Sequence, residues 1–257
     1  ACSASLVALH VATREGAAPT LVCGVNALLT PHVYDMLATA SMTSTAGRCH
    51  TFDQRADGYA RGEIVVAATL DDDGSRVTAT CVGQDGRSAS LTAPNGGAQR
   101  KLLTASTCVE VWEAHGTGTA LGDPTEVASI GFVVSHVSLV SSFKANAAHG
   151  EAGAGLAGVA KTLLHQQRSI CANAQLRLRN PHLCAPCLVM PTQRARHVVD
   201  CGGVNSFGYS GTIAHVAVQY PREPRHPPSS PPPLVFRRVQ WTASTAWLAR
   251  CGGAVVP

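Results

Sequence analysis

Apolar and polar positions along the chain predict an alternation of strands and helices. Short runs rich in Val, Ile and Leu predict buried strands at residues 21–29, 64–70, 76–81, 109–112, 137–143, 198–205 and 212–218. Apolar residues at helical spacing predict one helix that starts at Cys2 and another over residues 151–167. Strands and helices that alternate in this way indicate a layered α/β fold.

Turn-forming residues divide these elements. An acidic turn at residues 71–74 separates two of the strands, so residues 64–70 and 76–81 are predicted to form a hairpin. Residues 42–63 are polar and rich in glycine, which predicts a loop.

The character of the chain changes after Tyr220. Residues 221–233 are rich in Pro, Arg and Ser, which predicts extended chain, and residues 235–241 are predicted to dock back as a short segment. We therefore predict one folded domain over residues 1–219 and a Pro-rich linker or tail over residues 220–257.

Length and composition indicate a globular protein. The 257 residues are 45% hydrophobic, enough to bury the core of one large domain or two small ones. Charged residues make up 14% and the net charge is +4, without a dense Lys/Arg block, so no nucleic-acid partner is predicted. The longest apolar stretch, residues 130–143, is interrupted by polar side chains and is shorter than the roughly 20 residues of a membrane helix. We therefore predict no membrane association.

Cysteine usage and the chain ends bear on compartment and completeness. The 10 cysteines are scattered irregularly through a long chain, which favours a reducing cytosol over a disulfide scaffold. The chain opens on Ala1-Cys2 without a methionine or a signal-like segment. We expect a cytoplasmic location and a partial chain.

Three short motifs present chemically active side chains. Cys2 lies at a predicted helix start, His115 lies in the run 113–119 (EAHGTGT), and Lys144 and His149 bracket the run 144–149 (KANAAH). A fourth motif, residues 205–212 (NSFGYSGT), supplies a flexible backbone turn. A cysteine nucleophile, two imidazoles, a lysine and a glycine-rich turn are the components of an acyl-transfer site.

These motifs resemble, in order, those of the β-ketoacyl synthases, or ketosynthases. Residues 1–10 resemble the nucleophile motif, 47–63 the segment after it, 113–126 (EAHGTGTALGDPTE) a polyketide synthase signature, 144–161 the second histidine motif, and 205–215 the closing glycine-rich turn. The sequence of residues 119–126 is more similar to that of type I polyketide synthases than to that of fatty acid synthases. Fatty acid biosynthesis is a related expectation.

The resemblance implies a thiolase-like layered α-β-α fold, of which this chain holds mostly the C-terminal half and lacks the N-terminal half. It also implies a decarboxylative Claisen condensation between an acyl thioester and a malonyl-type extender. The phosphopantetheine arm of an acyl carrier protein carries the substrates, and no cofactor or metal is expected to bind directly. The expected partners are that carrier protein, the rest of a polyketide synthase polypeptide and, at full length, a second copy.

The resemblance also assigns roles to individual residues. Cys2 is the expected nucleophile, and neutral His115 and His149 are expected to donate Nε2–H groups to the enolate. Lys144 and Glu151 support the site, the amides of Cys2 and Tyr209 form an oxyanion hole or gate, and Thr117, Thr119 and Phe207 bind substrate. The position of Cys2 at a helix start is expected to favour its thiolate.

Four positions depart from the family pattern. Ala148 and Ser210 replace glycines, Gly150 replaces a threonine and Ile213 replaces an asparagine. A Cβ atom at a glycine position can demand backbone angles that L residues rarely adopt.

Three other interpretations remain open on the sequence. The chain can be a catalytically silent ketosynthase-like fragment or scaffold. The run 153–158 spells G-x-G-x-x-G, which suggests a nicotinamide-dependent reductase, although small residues for helix packing explain it better. Cys184 and Cys187 have the spacing of half a zinc site without a second pair, and a surface loop is the simpler explanation.

Overall fold

The computed structural model of the chain describes residues 1–16, 19–71, 75–88, 93–106, 109–165, 170–194 and 199–220. Its helices are α1 (Ala4–Glu15), α2 (His32–Thr39), α3 (Gly96–Leu103), α4 (Gly122–Val133), α5 (Lys144–Ala147) and α6 (Ala154–His165), and a 3₁₀ turn (Glu151–Gly153) precedes α6. Its strands are β1 (Thr20–Asn26), β2 (Ile64–Leu70), β3 (Arg76–Gln84), β4 (Val111–Glu113), β5 (Ser138–Ser141), β6 (Leu188–Val189), β7 (Cys201–Phe207) and β8 (Thr212–Gln219). The predicted tail segments at residues 221–233 and 235–241 lie outside the described residues.

Two sheets of unequal size form the framework. The larger has six strands in the order β3-β8-β7-β4-β5-β6. Strands β7, β4, β5 and β6 run parallel, whereas β8 is antiparallel to both of its neighbours. The smaller sheet is the antiparallel pair β1-β2.

The predicted hairpin between residues 64–70 and 76–81 is wrong. Both segments are strands, but β2 pairs with β1 in the small sheet, and β3 pairs with β8 at the edge of the large sheet. The intervening turn therefore joins two sheets and not two paired strands.

Helices and sheets alternate in layers. Apolar side chains of α1 and α6 pack between the small sheet and one face of the large sheet, in a cluster that includes Leu6, Leu156, Val22 and Val216. A second cluster, which includes Trp112, Leu103 and Ile130, joins the opposite face of the large sheet to α3 and α4. The layered α/β prediction is confirmed by this arrangement.

Small residues at the start of α6 allow the central layer to pack closely. A Cβ on Gly155 would lie 2.6 Å from Leu6 Cγ of α1, and one on Gly158 would lie 2.9 Å from Val204 Cγ1 of β7. The glycine run thus belongs to a 3₁₀ turn and a packed helix, and it does not follow a strand as a dinucleotide loop does. This packing explains the motif and removes the basis of the reductase interpretation.

Some predicted boundaries differ from those of the structure. The first helix begins at Ala4 and not at Cys2, and the helix predicted from residue 151 begins at Ala154 after the 3₁₀ turn. Within the described residues, no helix is long and apolar enough to cross a membrane. The same part of the chain holds no group of three or more metal-ligating side chains, and Cys184 and Cys187 are free thiols there.

Candidate active site

The carboxyl ends of three parallel strands bring the motifs together. His115 follows β4, the segment 142–149 follows β5, and Phe207 ends β7, so all three reach the same edge of the large sheet. A cavity of about 290 Å³ opens there, and Cys2, near the start of the chain, forms part of its wall. Seven of the predicted site residues line it, namely Cys2, His115, Thr117, Thr119, His149, Phe207 and Tyr209.

Cys2 is buried at the base of this cavity. It is 6% exposed, and its carbonyl oxygen accepts a hydrogen bond of 2.8 Å from the Ser206 hydroxyl. The backbone N–H of Tyr209 donates toward its sulfur, which places the two expected oxyanion-hole residues side by side.

The expected thiolate at Cys2 is wrong for the resting protein. Burial raises the pKa of the Cys2 thiol, although Lys144 and the Tyr209 N–H oppose that rise. Helix α1 begins two residues later, so desolvation outweighs the effect of the helix start. The Cys2 thiol therefore keeps its proton near pH 7.

The two site histidines face each other. The rings of His115 and His149 meet edge to face with centroids 5.5 Å apart, close enough for one small group in the cavity to contact both. Burial lowers the pKa of His115 well below its usual value, and the positive charge of Lys144 lowers it further. Burial and Lys144 lower the pKa of His149 in the same way. Both rings are therefore neutral near pH 7.

The tautomer of His149 is fixed by one hydrogen bond. Its Nδ1 accepts the backbone N–H of Glu151 at 3.0 Å, so the ring proton of the neutral form is on Nε2. That Nε2 is buried and has no hydrogen-bond partner. His149 thus holds an N–H donor ready for an oxygen atom that enters the cavity.

A network of buried charges lies behind Lys144. The ammonium group of Lys161 contacts Glu113 Oε2 at 2.6 Å and the Ser141 hydroxyl at 2.9 Å, while the other oxygen of Glu113 accepts the N–H of Phe143. Burial lowers the pKa of Lys144, and the negative charges of Glu113 and Glu126 oppose that change. Glu113 therefore anchors the start of α5, which carries Lys144.

Two acidic residues that the sequence interpretation left without a role hold the 115–118 turn in place. Glu126 accepts the N–H groups of His115 and Gly116 at 2.7 and 2.9 Å, and Asp123 accepts that of Gly118 at 3.0 Å. Their spacing of three residues puts both on one face of α4, which is the signal that could have identified them. Burial raises the pKa of Asp123 to about 7 and raises the pKa of Glu126.

The other predicted residues are arranged around this centre. The Thr117 and Thr119 hydroxyls lie 3.2 Å apart on the cavity wall, and the Phe207 ring lies 5.7 Å from that of His115. Tyr209 is half exposed at the cavity mouth. Glu151 does not line the cavity. Its carboxylate pairs with Arg61, a residue to which the sequence assigns no role.

Family models cover most of the described fold. The model of the β-ketoacyl synthase N-terminal domain matches residues 1–73, and that of the C-terminal domain matches residues 75–175. Cys2 and the small sheet thus fall within the N-terminal domain model, and the His115 and His149 motifs within the C-terminal one.

Known proteins agree with these models. Over 89% of this chain, it is 39% identical to a phenolphthiocerol/phthiocerol polyketide synthase of Mycobacterium tuberculosis, and it covers 14% of that protein. Over 85%, it is 38% identical to the reducing polyketide synthase pksF of Alternaria solani, of which it covers 11%.

Solved structures show the same fold. The ketosynthase from module 6 of the bacillaene synthase of Bacillus subtilis superposes with a TM-score of 0.82 at 29% identity, over 86% of this chain and 46% of that one. An oxazolomycin ketosynthase domain from Streptomyces albus gives a TM-score of 0.81 at 30% identity, over 88% and 46%. The chain therefore spans about half of a solved ketosynthase and has the expected thiolase-like layers. It belongs to the β-ketoacyl synthase family, among the ketosynthase domains of type I polyketide synthases.

Proposed function

We propose that this chain carries the reaction centre of a polyketide synthase ketosynthase, an acyltransferase that extends an acyl chain by decarboxylative condensation. One observation supports this most strongly. The rings of buried His149 and partly buried His115, both neutral near pH 7, lie 5.5 Å apart in a cavity that Cys2 also lines, and the Nε2 donor of His149 has no partner among the described residues.

The first half-reaction is acyl transfer to Cys2. The sulfur attacks the carbonyl carbon of an acyl thioester, the carrier thiol leaves, and the Cys2 proton passes to that thiol. The negative charge on the carbonyl oxygen is stabilised by the N–H groups of Cys2 and Tyr209. Because burial raises the pKa of Cys2, proton loss and attack occur together.

The second half-reaction forms the new carbon–carbon bond. A malonyl thioester loses carbon dioxide, and the enolate oxygen that forms accepts hydrogen bonds from the Nε2–H groups of His115 and His149. The enolate carbon then attacks the Cys2 thioester, and the Cys2 sulfur leaves and regains a proton. Burial, assisted by the charge of Lys144, keeps both rings neutral and so preserves their donors.

The proposed delivery of substrate is supported by the residues that line the cavity. Thr117 and Thr119 hydrogen-bond the phosphopantetheine arm of an acyl carrier protein, and Phe207 packs against the acyl chain. In this proposal residues 1–219 are a partial ketosynthase domain and residues 220–257 a linker within a cytoplasmic polyketide synthase polypeptide. The full-length protein is a homodimer.

The experiment is acylation of Cys2 by a small thioester probe. The chain is joined to the upstream half of a ketosynthase domain, because the isolated chain is expected to aggregate and to be inactive. The joined protein is incubated with an acyl N-acetylcysteamine thioester and digested, and the peptide that contains Cys2 is examined by mass spectrometry. We expect the acyl group on Cys2 and none in Cys2→Ala. Cys49→Ala is the matched control, because Cys49 is also buried and its pKa is raised to about 11, yet it does not line the cavity.

A catalytically silent scaffold is the second candidate. The raised pKa of Cys2 favours it, because a buried thiol that keeps its proton reacts slowly. The two candidates differ in the same experiment. Absence of acyl-Cys2 in the folded wild-type chain would establish the scaffold, as would equal labelling of Cys2 and the exposed Cys23 by iodoacetamide or cerulenin.

A further inference from the structure

Arg61 is a buried cation with no role in the mechanism above. Its side chain is 4% exposed, and it forms two hydrogen bonds with the Glu151 carboxylate, the one from Nη2 measuring 3.0 Å. Its guanidinium carbon lies 4.5 Å from the centroid of the Tyr34 ring. A bidentate ion pair this well enclosed holds both partners in fixed positions.

Glu151 needs to be held, because its backbone is strained. Its φ is +40°, in the left-handed region that side chains other than glycine rarely adopt. In this conformation its N–H points at Nδ1 of His149, 3.0 Å away. If the backbone relaxed to a negative φ, that N–H would turn away from the ring.

The residues on either side of Arg61 hold the main chain of His149. The His149 N–H donates to the Ala60 carbonyl at 2.8 Å, and the Gly62 N–H donates to the His149 carbonyl at 2.9 Å. Residues 60–62 therefore fix His149 by its backbone, and the side chain between them fixes Glu151. The two sets of contacts converge on a single imidazole.

We propose that Arg61 is a positioning residue that sets the tautomer of His149. Its ion pair holds Glu151 in the strained conformation, Glu151 delivers its N–H to Nδ1, and the ring proton stays on Nε2, where it faces the reaction centre. The effect on catalysis rests on the proposed function, whereas the effect on the tautomer does not.

The direct test is nitrogen NMR of the chain labelled with ¹⁵N-histidine. All variants carry Leu21→Glu and Val65→Lys, which replace exposed apolar side chains of the small sheet and keep the chain soluble at NMR concentrations. The chain has 11 histidines, so the His149 signals are assigned by their loss in His149→Gln. In the wild type we expect an unprotonated Nδ1 and a protonated Nε2. Arg61→Met should move His149 to a mixture of the two tautomers, and Arg61→Lys, which keeps one charged contact, should retain most of the Nε2–H form.

The matched control is Arg55→Met. Arg55 also forms a two-bond ion pair with a carboxylate, Asp53, but that pair has no contact with His149. This variant should leave the His149 signals unchanged. An unaltered Nε2–H tautomer in Arg61→Met would overturn the proposal, because Arg61 would then be an ordinary structural ion pair.

A double variant separates positioning from general destabilisation. Glycine adopts a φ of +40° without strain, so Glu151→Gly should make the ion pair unnecessary. Arg61→Met/Glu151→Gly should therefore recover the Nε2–H form that Arg61→Met loses. If Arg61→Met does not fold, the double variant and Arg61→Lys carry the test alone, and a mixed tautomer in both would refute the idea.

The rates of the two half-reactions give a second test. In this test, failure of the Arg61 proposal and failure of the proposed function have different outcomes. Loss of a positioned donor should slow decarboxylation of malonyl-N-acetylcysteamine by about 10- to 100-fold in Arg61→Met, while acylation of Cys2 changes by less than about twofold. An equal loss in both steps would contradict the positioning role. If the wild type shows neither step, the proposed function fails, and the tautomer experiment still decides the role of Arg61.

Discussion

Ala148 shows how one missing glycine strains the backbone next to the candidate site. Its φ is +63° and its ψ is −177°, a region almost reserved for glycine, at the position where the family pattern has one. We predict that Ala148→Gly raises the free energy of unfolding by about 1 kcal/mol, because it removes this strain at a smaller cost in chain entropy. Denaturant unfolding followed by circular dichroism measures the difference.

The control for that substitution is Ala157→Gly in α6. Ala157 has ordinary helical geometry, so glycine there should lower the free energy of unfolding by about 1 kcal/mol. Equal losses at both positions would show that the left-handed angle of Ala148 is not a source of strain.

The sequence could identify only part of this site, for a reason that particular residues make clear. Cys2, His115 and His149 were identified through motifs that resemble a family, and the structure places them around one cavity. Arg61 and Glu126 act through contacts with residues 90 and 10 or 11 positions away. No local pattern marks the contact of Arg61, because it exists only once the chain has folded. For Glu126 the only local signal is its three-residue spacing from Asp123 on one helix face.

At the level of elements, the inner polar face of α4 explains why that helix was missed. Its buried positions include Asp123, Glu126 and Ser129, so polar residues occupy the face that an amphipathic pattern requires to be apolar. The carboxylates face inward because they accept N–H groups from the 115–118 turn. Hydrogen bonding to the turn thus places polar residues on the helix face where apolar residues normally predict a helix.

The hairpin prediction is wrong for a different reason. A run of alternating strand residues predicts a strand but carries no information about its partner. Residues 64–70 and 76–81 have the pattern of paired strands, yet β2 pairs with β1, whose last residue is Asn26, and β3 pairs with β8 near the end of the described chain. Such distant pairing is decided by packing of the layers.

Pairing of β7 with β8 places a titratable group in the core. His215 lies opposite Asn205 and bonds its side-chain oxygen at 2.7 Å, and Asn205 donates to Glu126 at 2.9 Å. Burial lowers the pKa of His215 to about 4. Its network reaches the turn that carries His115 through Glu126.

A pH dependence of stability follows from that change in pKa. The unfolded chain binds a proton at His215 below about pH 6.5, whereas the folded chain does so only near 4, so stability present above pH 6.5 is lost as the pH falls. We predict that protonation of His215 lowers the free energy of unfolding by about 2 kcal/mol as the pH falls from 7 to 5. Comparison of wild type with His215→Gln by denaturant unfolding at both values isolates this contribution. An identical loss in the variant would contradict it.

At the scale of the whole molecule, the alternation of strands and helices was enough to predict the layers. The share of the family fold was predicted from the motifs, which imply about half of it, and the chain covers 46% of a solved ketosynthase. Within the described residues, the small sheet consists of two strands. One face of these strands packs on α1 and α6, and the other carries exposed apolar side chains.

That exposed face predicts the behaviour of the isolated chain. Cross-strand pairs place Leu21, Val25 and Val65 on it, and these side chains are 66%, 55% and 81% exposed. Apolar patches of more than a few hundred Å² drive association, and each Å² buried stabilises it by about 25 cal/mol. We predict that the chain associates and aggregates at micromolar concentration, and that Leu21→Glu with Val65→Lys reduces this association in analytical ultracentrifugation.

The control for this prediction is Gln54→Lys, which adds a charge at an exposed polar position and should leave the association unchanged. A monomeric wild-type chain with one cooperative thermal transition would show that this face is stable in water, and would favour an independently folded domain.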